Sequence, residues 1–141
     1  MKKFDIYLAN LWALNVKLHN LHWFVEGPTF KATHEYLEHL YDLVFERLDE
    51  TAEVQRQLGE MPKASMKEYL ELTTVKERED KMLKNLDAIK IAYEDFKALS
   101  DLALEIREEA DKEDNFLVAN LMEDDYTLYK KELWFMEMML K

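Results

Sequence analysis

Histidine and carboxylate side chains supply the nitrogen and oxygen ligands of first-row transition metals, and in this chain they converge in one stretch. All four histidines, His19, His22, His34 and His39, fall between positions 19 and 39. Glu35, Glu38, Asp42, Glu46, Asp49 and Glu53 follow at helical intervals. At about 100° per residue, His34, Glu38, Asp49 and Glu53 share roughly one 100° arc of a helix. His34/Glu38 and Asp49/Glu53 are i,i+4 pairs, and either pair can share an ion. The two pairs cannot meet on one ion within one chain. From Glu38 to Asp49 the helix rises about 16 Å, whereas metal–ligand bonds are about 2 Å long.

A second copy of the chain removes the difficulty. If this helix packs antiparallel on its own copy near residues 43–44, His34 and Glu38 of one subunit face Asp49 and Glu53 of the other. An isologous contact of that kind creates two equivalent sites. His22 lies on the adjoining inner stripe and completes the His34/Glu38 end. Such a His₂-carboxylate set suits Fe(II) or Mn(II), and Zn(II) also fits. Taken singly, acids and histidines on a helix edge are usually a solvated face, and an inward His22 is usually a hydrogen-bonded core residue. Only the joint pattern carries the metal reading.

The elements that must position these residues are helical. A stripe of Phe4, Leu8, Leu11, Asn15, Leu18, His22 and Val25 marks one face of a first helix. Glu26-Gly27-Pro28-Thr29 breaks it. A second helix is expected from Phe30 to Leu58, burying Leu37, Leu40, Tyr41, Val44, Leu48 and Ala52, with Gly59 as C-cap and Pro62 beyond. Ser65-x-x-Glu68 has capping-box spacing and predicts a short helix between Ala64 and Thr74. Thr74-x-x-Glu77 repeats the signal and is read as the opening of a third long helix. That helix carries the stripe Met82, Leu86, Ile89, Tyr93, Phe96, Leu99, Ala103, Ile106 and Ala110. Residues 111–115 form an acidic turn, and a fourth helix buries Met122, Tyr126, Tyr129, Leu133, Met136 and Leu140. The expected fold is all-α, a four-helix bundle with a short helix between the second and third long helices, forming one domain over residues 1–141.

Composition narrows the function. Two Gly and two Pro among 141 residues oppose a turn-rich β fold. The net charge of −11, from 30 acidic and 19 basic residues, opposes a nucleic-acid surface, because phosphate binding needs clustered Lys and Arg. With no cysteine there is no disulfide framework and no Cys-ligated zinc, which is compatible with a reducing cytoplasm. No stretch is apolar for long enough to cross a bilayer. The N-terminal MKKFDIYLANLWALNVK is interrupted by Asp5, Asn10 and Asn15, and is expected to be a mature helix rather than a leader.

Lys17-x-His19-Asn20-x-His22-Trp23-x-Val25-x-Gly27, Phe30, His34-Glu35-x-x-Glu38, Asp49-Glu50-x-Ala52-Glu53 and Gly59 together resemble the signature of the Dps family, the miniferritins. The resemblance extends over nearly the whole chain, including the short linking helix and the Trp134 region. It implies a ferritin-like bundle assembled into a hollow dodecamer of two-fold dimers. It further implies a cytoplasmic ferroxidase that oxidises Fe(II), typically with hydrogen peroxide, and stores ferric mineral. The family's iron ligands match His22, His34 and Glu38 from one subunit and Asp49 and Glu53 from its neighbour. Ferritins that hold a di-iron centre inside one bundle use Glu-x-x-His motifs, and no Glu stands three residues before any His here. Two departures stand out. The family commonly has Asp where this chain has Glu38, one carbon longer. At the family's iron-conducting pore Asp111 and Asp114 are retained, but Asn115, Phe116 and Asn120 stand where further acids are usual. The competing classes are a DNA-binding protein of the same family, for which only Lys2, Lys3 and the final Lys141 offer flexible positive charge, and a metal-free helical assembly module.

Overall fold

The computed structural model describes residues 1–141. Its elements in order are α1 (Lys2–Phe24), β1 (Val25–Glu26), α2 (Phe30–Gln57), α3 (Met66–Leu72), β2 (Leu83–Lys84), α4 (Asn85–Lys112) and α5 (Phe116–Met139). The four long helices bury Phe4, Leu8, Leu11 and Leu18 of α1 against Leu37, Leu40, Val44 and Leu48 of α2. Phe96, Ala103 and Ile106 of α4 and Met122, Tyr129 and Met136 of α5 close the other side. No helix is long and apolar enough to cross a membrane.

The chain order is fixed by a crossover. Strands β1 and β2 pair in parallel, Val25 beside Leu83 and Glu26 beside Lys84. The segment after α3 has therefore returned to the end of the bundle where α2 began, and α4 starts there, running in the same direction as α2. Two asparagines of α1 tie this returning segment down. Asn10 accepts from the Thr73 hydroxyl (2.7 Å) and the Thr74 amide (2.8 Å) and donates to the Thr74 hydroxyl (3.0 Å). Asn20 donates to the carbonyls of Arg78 and Glu79 and accepts from the Arg78 guanidinium at 2.8 Å.

This corrects one expectation. Thr74-x-x-Glu77 opens no helix, because the Thr74 hydroxyl is committed to Asn10 and residues 73–82 run outside any helix or strand. Helix α4 begins only at Asn85, so Met82 and Leu86 are exposed rather than buried, and Asn85, Ala88 and Ala92 take the inward stripe with Ile89. The other boundaries agree to within two residues: α4 continues through Asp111 and Lys112 of the expected acidic turn, and α1 already includes Lys2 and Lys3. Ser65 caps α3, its hydroxyl accepting from the Glu68 amide (3.3 Å) and donating to the Glu68 carboxylate (2.8 Å). Gly59, at φ +79°, ends α2 with its amide on the Arg56 carbonyl. Asn15 is only half-buried, its amide donating to the Tyr41 carbonyl at 2.9 Å.

Inside the bundle is a polar cluster. Tyr7 of α1 donates to Asp125 Oδ2 of α5 at 2.7 Å, and its oxygen meets the Tyr129 hydroxyl. Because Tyr7 gives its only proton to Asp125, Tyr129 is the donor in the tyrosine pair. Arg47 of α2 brings Nε to 3.0 Å from Asp125 Oδ1. The two atoms are close enough for an ion pair but not aligned for a hydrogen bond, so both lack a directed partner. Burial pushes Asp125 up to about 6 despite the lowering by Tyr7 and Arg47.

Two outcomes follow from these packing details. Gly27 sits at φ +132°, and a Cβ there would lie 2.6 Å from Asn85 Nδ2. Gly27→Ala should therefore cost about 1–3 kcal/mol and lower the melting temperature; unchanged melting would show that the turn relaxes freely. Asp125 has its folded pKa raised above its unfolded value of about 3.9. Its contribution is fully present below pH ~4 and lost as pH rises through about 6. Relative to Asp125→Asn, the parent chain should lose on the order of 2–3 kcal/mol of unfolding free energy between acidic and mildly alkaline buffer. A pH-independent difference in urea unfolding would refute the assignment.

Candidate metal centre at the α1–α2 corner

His22 lies in the last turn of α1 and His34 in the second turn of α2, brought together by the tight β1–Gly27–Pro28 corner. Their imidazoles stack with centroids 3.6 Å apart and planes 11° from parallel. Each ring is held by the other residue's backbone. His22 Nδ1 is 2.6 Å from the His34 carbonyl, and His34 Nδ1 is 2.8 Å from the His22 carbonyl. A carbonyl can only accept, so both Nδ1 atoms carry the proton. In the neutral rings both Nε2 lone pairs are then left free, the tautomer a metal-binding histidine requires.

The electrostatics favour that neutral form at His22. Burial lowers its pKa, and the neighbouring His34 and His19 lower it further, outweighing the backbone bond and Glu38. Glu38, one turn beyond His34, brings Oε1 to 3.9 Å from His22 Nε2. Its carboxylate is solvent-exposed and accepts a long 3.4 Å contact from the Tyr41 hydroxyl. His19 is turned aside. Its Nδ1 bonds the Asn15 carbonyl at 2.7 Å and its ring stacks on Tyr41 at 3.8 Å.

Asp49 and Glu53 do not join them. Both are exposed, on the same side of α2 as Glu38 but further along the helix. No three His, Asp or Glu side chains of the single chain are placed to hold one ion. The chain thus keeps the expected ligands in two separate groups, a nitrogen-rich one at His22/His34/Glu38 and an oxygen one at Asp49/Glu53. Asp111 is exposed in the last turn of α4, and Asp114 is exposed in the following turn with φ +55°.

Two buried carboxylates escaped the sequence reading. Glu132 accepts from the Tyr36 hydroxyl (2.9 Å) and pairs with His39 Nε2 (3.0 Å), joining α5 to α2. Asp125 anchors the core cluster already described. Both were signalled by register: 122, 125, 129, 132 and 136 alternate in steps of three and four, so acids at 125 and 132 stand on the apolar stripe itself.

The ferritin-like domain family matches residues 2–141. The DNA protection during starvation protein of Helicobacter pylori is 32% identical over 140 residues, spanning 97% of each chain. Antigen TpF1 of Treponema pallidum is 33% identical over 135 residues, covering 96% of this chain and 76% of the relative. Its crystal structure superposes with a TM-score of 0.96 at 32% identity, over 99% of this chain and 90% of that one. A Dps protein from Bacillus brevis superposes with a TM-score of 0.94 at 29% identity, over 99% and 93% of the two chains. With the whole chain matched in sequence and in fold, the protein belongs to the ferritin-like family and, within it, to the Dps proteins.

Proposed function

We propose that the protein is a cytoplasmic ferroxidase and iron store that oxidises Fe(II) with hydrogen peroxide at sites shared between subunits and holds the ferric product inside a hollow dodecamer. The observation that carries this reading is the reciprocal His22–His34 clasp, which leaves two Nε2 lone pairs side by side with Glu38 adjoining. Fe(II) is the substrate of this site, and Mn(II) or Zn(II) suits the same donors. His22 and His34 bind through neutral nitrogen. Glu38, with Asp49 and Glu53 of the neighbouring subunit, supplies negative oxygen ligands that favour Fe(III) over Fe(II). Overall, two Fe(II) give one electron each to a peroxide, whose O–O bond breaks and which leaves as two waters after taking up two protons.

Apolar exposure supports assembly on the required face. Phe45 is exposed on the same side of α2 as Glu38 and Asp49, close to the expected two-fold centre at residues 43–44. It meets Trp12 edge-on, and Trp12 stacks on Tyr69 of α3, whose neighbours Met66 and Leu70 are exposed. A continuous apolar patch of this kind marks an interface. Phe116, Leu117, Trp134 and Met138 expose further apolar surface on α5 for other contacts of a larger assembly. Asp111 and Asp114 are proposed to line the pore by which iron enters, where symmetry repeats their charge.

The names of the relatives raise a second reading, DNA binding. Removing Fe(II) and peroxide together protects DNA without touching it, and the net charge of −11 opposes contact.

Two experiments separate these readings. His34→Ala and Asp49→Ala subunits should each lose rapid Fe(II) oxidation, while mixed assemblies recover part of it, since some interfaces then carry one intact site. Assemblies that mix yet stay inactive would refute the shared site. In a gel shift at near-physiological salt without divalent cations, DNA should run free; a retarded band would establish direct binding.

A further inference from the structure

We infer that Tyr7, with Asp125 and Tyr129, is a buried electron reservoir that completes peroxide reduction when only one Fe(II) occupies a site. The inference rests on the shared iron site proposed above. The geometry supplies three requirements of reversible tyrosine oxidation. A phenol that loses an electron must also lose its proton, and Tyr7 already donates that proton to Asp125 Oδ2 at 2.7 Å. The resulting phenoxyl oxygen needs a hydrogen-bond donor, and the Tyr129 hydroxyl is placed to provide it. The radical must also be kept from solvent and from other chains, and Tyr7, Tyr129 and Asp125 are each 0% exposed. Tyr41 lies nearer the histidines but meets none of these conditions well, since its only carboxylate partner is the exposed Glu38 at 3.4 Å.

The reservoir also lies within reach. Arg47 projects from the core side of α2 onto Asp125. Asp49 and Glu53 follow Arg47 by two and six residues, about 200° and 240° around the helix. They therefore stand on the far side of α2, across a helix about 10–12 Å in diameter. Iron held by these carboxylates and a partner's histidines is separated from the tyrosine cluster mainly by α2 itself.

One Fe(II) and Tyr7 each give one electron to one hydrogen peroxide, the O–O bond breaks, and two protons from solvent complete two waters. Fe(II) becomes Fe(III). The Tyr7 O–H bond breaks, its proton moves to Asp125, and a neutral phenoxyl radical remains. A later Fe(II) returns the electron, and Asp125 returns the proton. Burial raises Asp125 to about 6, so near neutral pH it can both take up and release that proton.

The test uses the assembled protein, loaded anaerobically with less than one Fe(II) per site, mixed with excess hydrogen peroxide and freeze-quenched. Electron paramagnetic resonance should show a tyrosyl radical whose hyperfine pattern narrows when the protein carries ring-deuterated tyrosine. Tyr7→Phe should lose most of this signal. Asp125→Asn, which keeps both phenols and the side-chain size, should lose it as well. Ferric absorbance in the same samples reports the iron site independently. A parent-level signal in a Tyr7→Phe/Tyr129→Phe double variant would overturn the inference, as would rapid ferric formation in the parent protein with no radical. Absence of ferric formation in the parent would overturn the shared site and this inference with it.

Discussion

Everything at the candidate centre depends on one exchange of hydrogen bonds, His22 to the His34 carbonyl and His34 to the His22 carbonyl. His22 is in the last turn of α1, where carbonyls have no partner within the helix, so His34 caps the helix that carries His22. One pair of contacts therefore satisfies a helix terminus, locks both ring orientations and fixes both tautomers. The clasp requires α1 and α2 to meet within a few residues, which the Gly27 corner permits. At φ +132°, with Asn85 pressed against the position of a Cβ, Gly27 allows the chain to reverse against the start of α4. The crossover matters for the same reason: by pairing β2 with β1 it brings Asn85 to that corner.

The two halves of the ligand set have different physical characters. The histidines are sheltered and pre-oriented, whereas Glu38, Asp49 and Glu53 are exposed and have no clasp of their own. A carboxylate cluster would be strongly self-repelling if folded into one dry site without its cation. Dividing it between subunits leaves each acid solvated in the monomer. On that basis the proposed chemistry arises only with assembly, for which the apolar Trp12–Phe45–Tyr69 surface is the proposed contact. The longer arm of Glu38 fits this arrangement, since it already reaches to 3.9 Å from His22 Nε2 without help from a neighbour.

Much of this was legible in the residues because the signals were local. The 3.6-residue period placed His22 inward, the Gly27-Pro28 break separated α1 from α2, and the caps at Ser65 and Gly59 ended where they should. The spacing of Glu38 and Asp49 alone showed that one chain could not close the site. The failures were non-local. Thr74-x-x-Glu77 has a good capping signature, yet Asn10, more than sixty residues away in sequence, captures both Thr73 and Thr74. The propensity of residues 74–82 for helix lost to that tertiary tie, and Met82 and Leu86 became surface. Asp125 and Glu132 were passed over because a carboxylate on an apolar stripe is expensive unless partnered. The partners, Tyr7, Arg47, Tyr36 and His39, come from other helices.

Those partnered acids give α2 a double role. Its outward edge carries His34, Glu38, Asp49 and Glu53, while its inward side sends Arg47 to Asp125. The interior of a four-helix bundle is where a within-chain metal centre would stand. Here that volume is taken by Tyr7, Tyr129, Arg47 and Asp125, while the other buried carboxylate, Glu132, is committed to Tyr36 and His39. Arg47 moreover places a fixed positive charge there, which repels a cation. The same positive charge anchors α2 rotationally, because turning the helix to bury Asp49 or Glu53 would withdraw Arg47 from Asp125 and leave a buried carboxylate unpaired. The cluster that fills the core thus also holds these carboxylates on the outside, the side on which the proposed second subunit meets them.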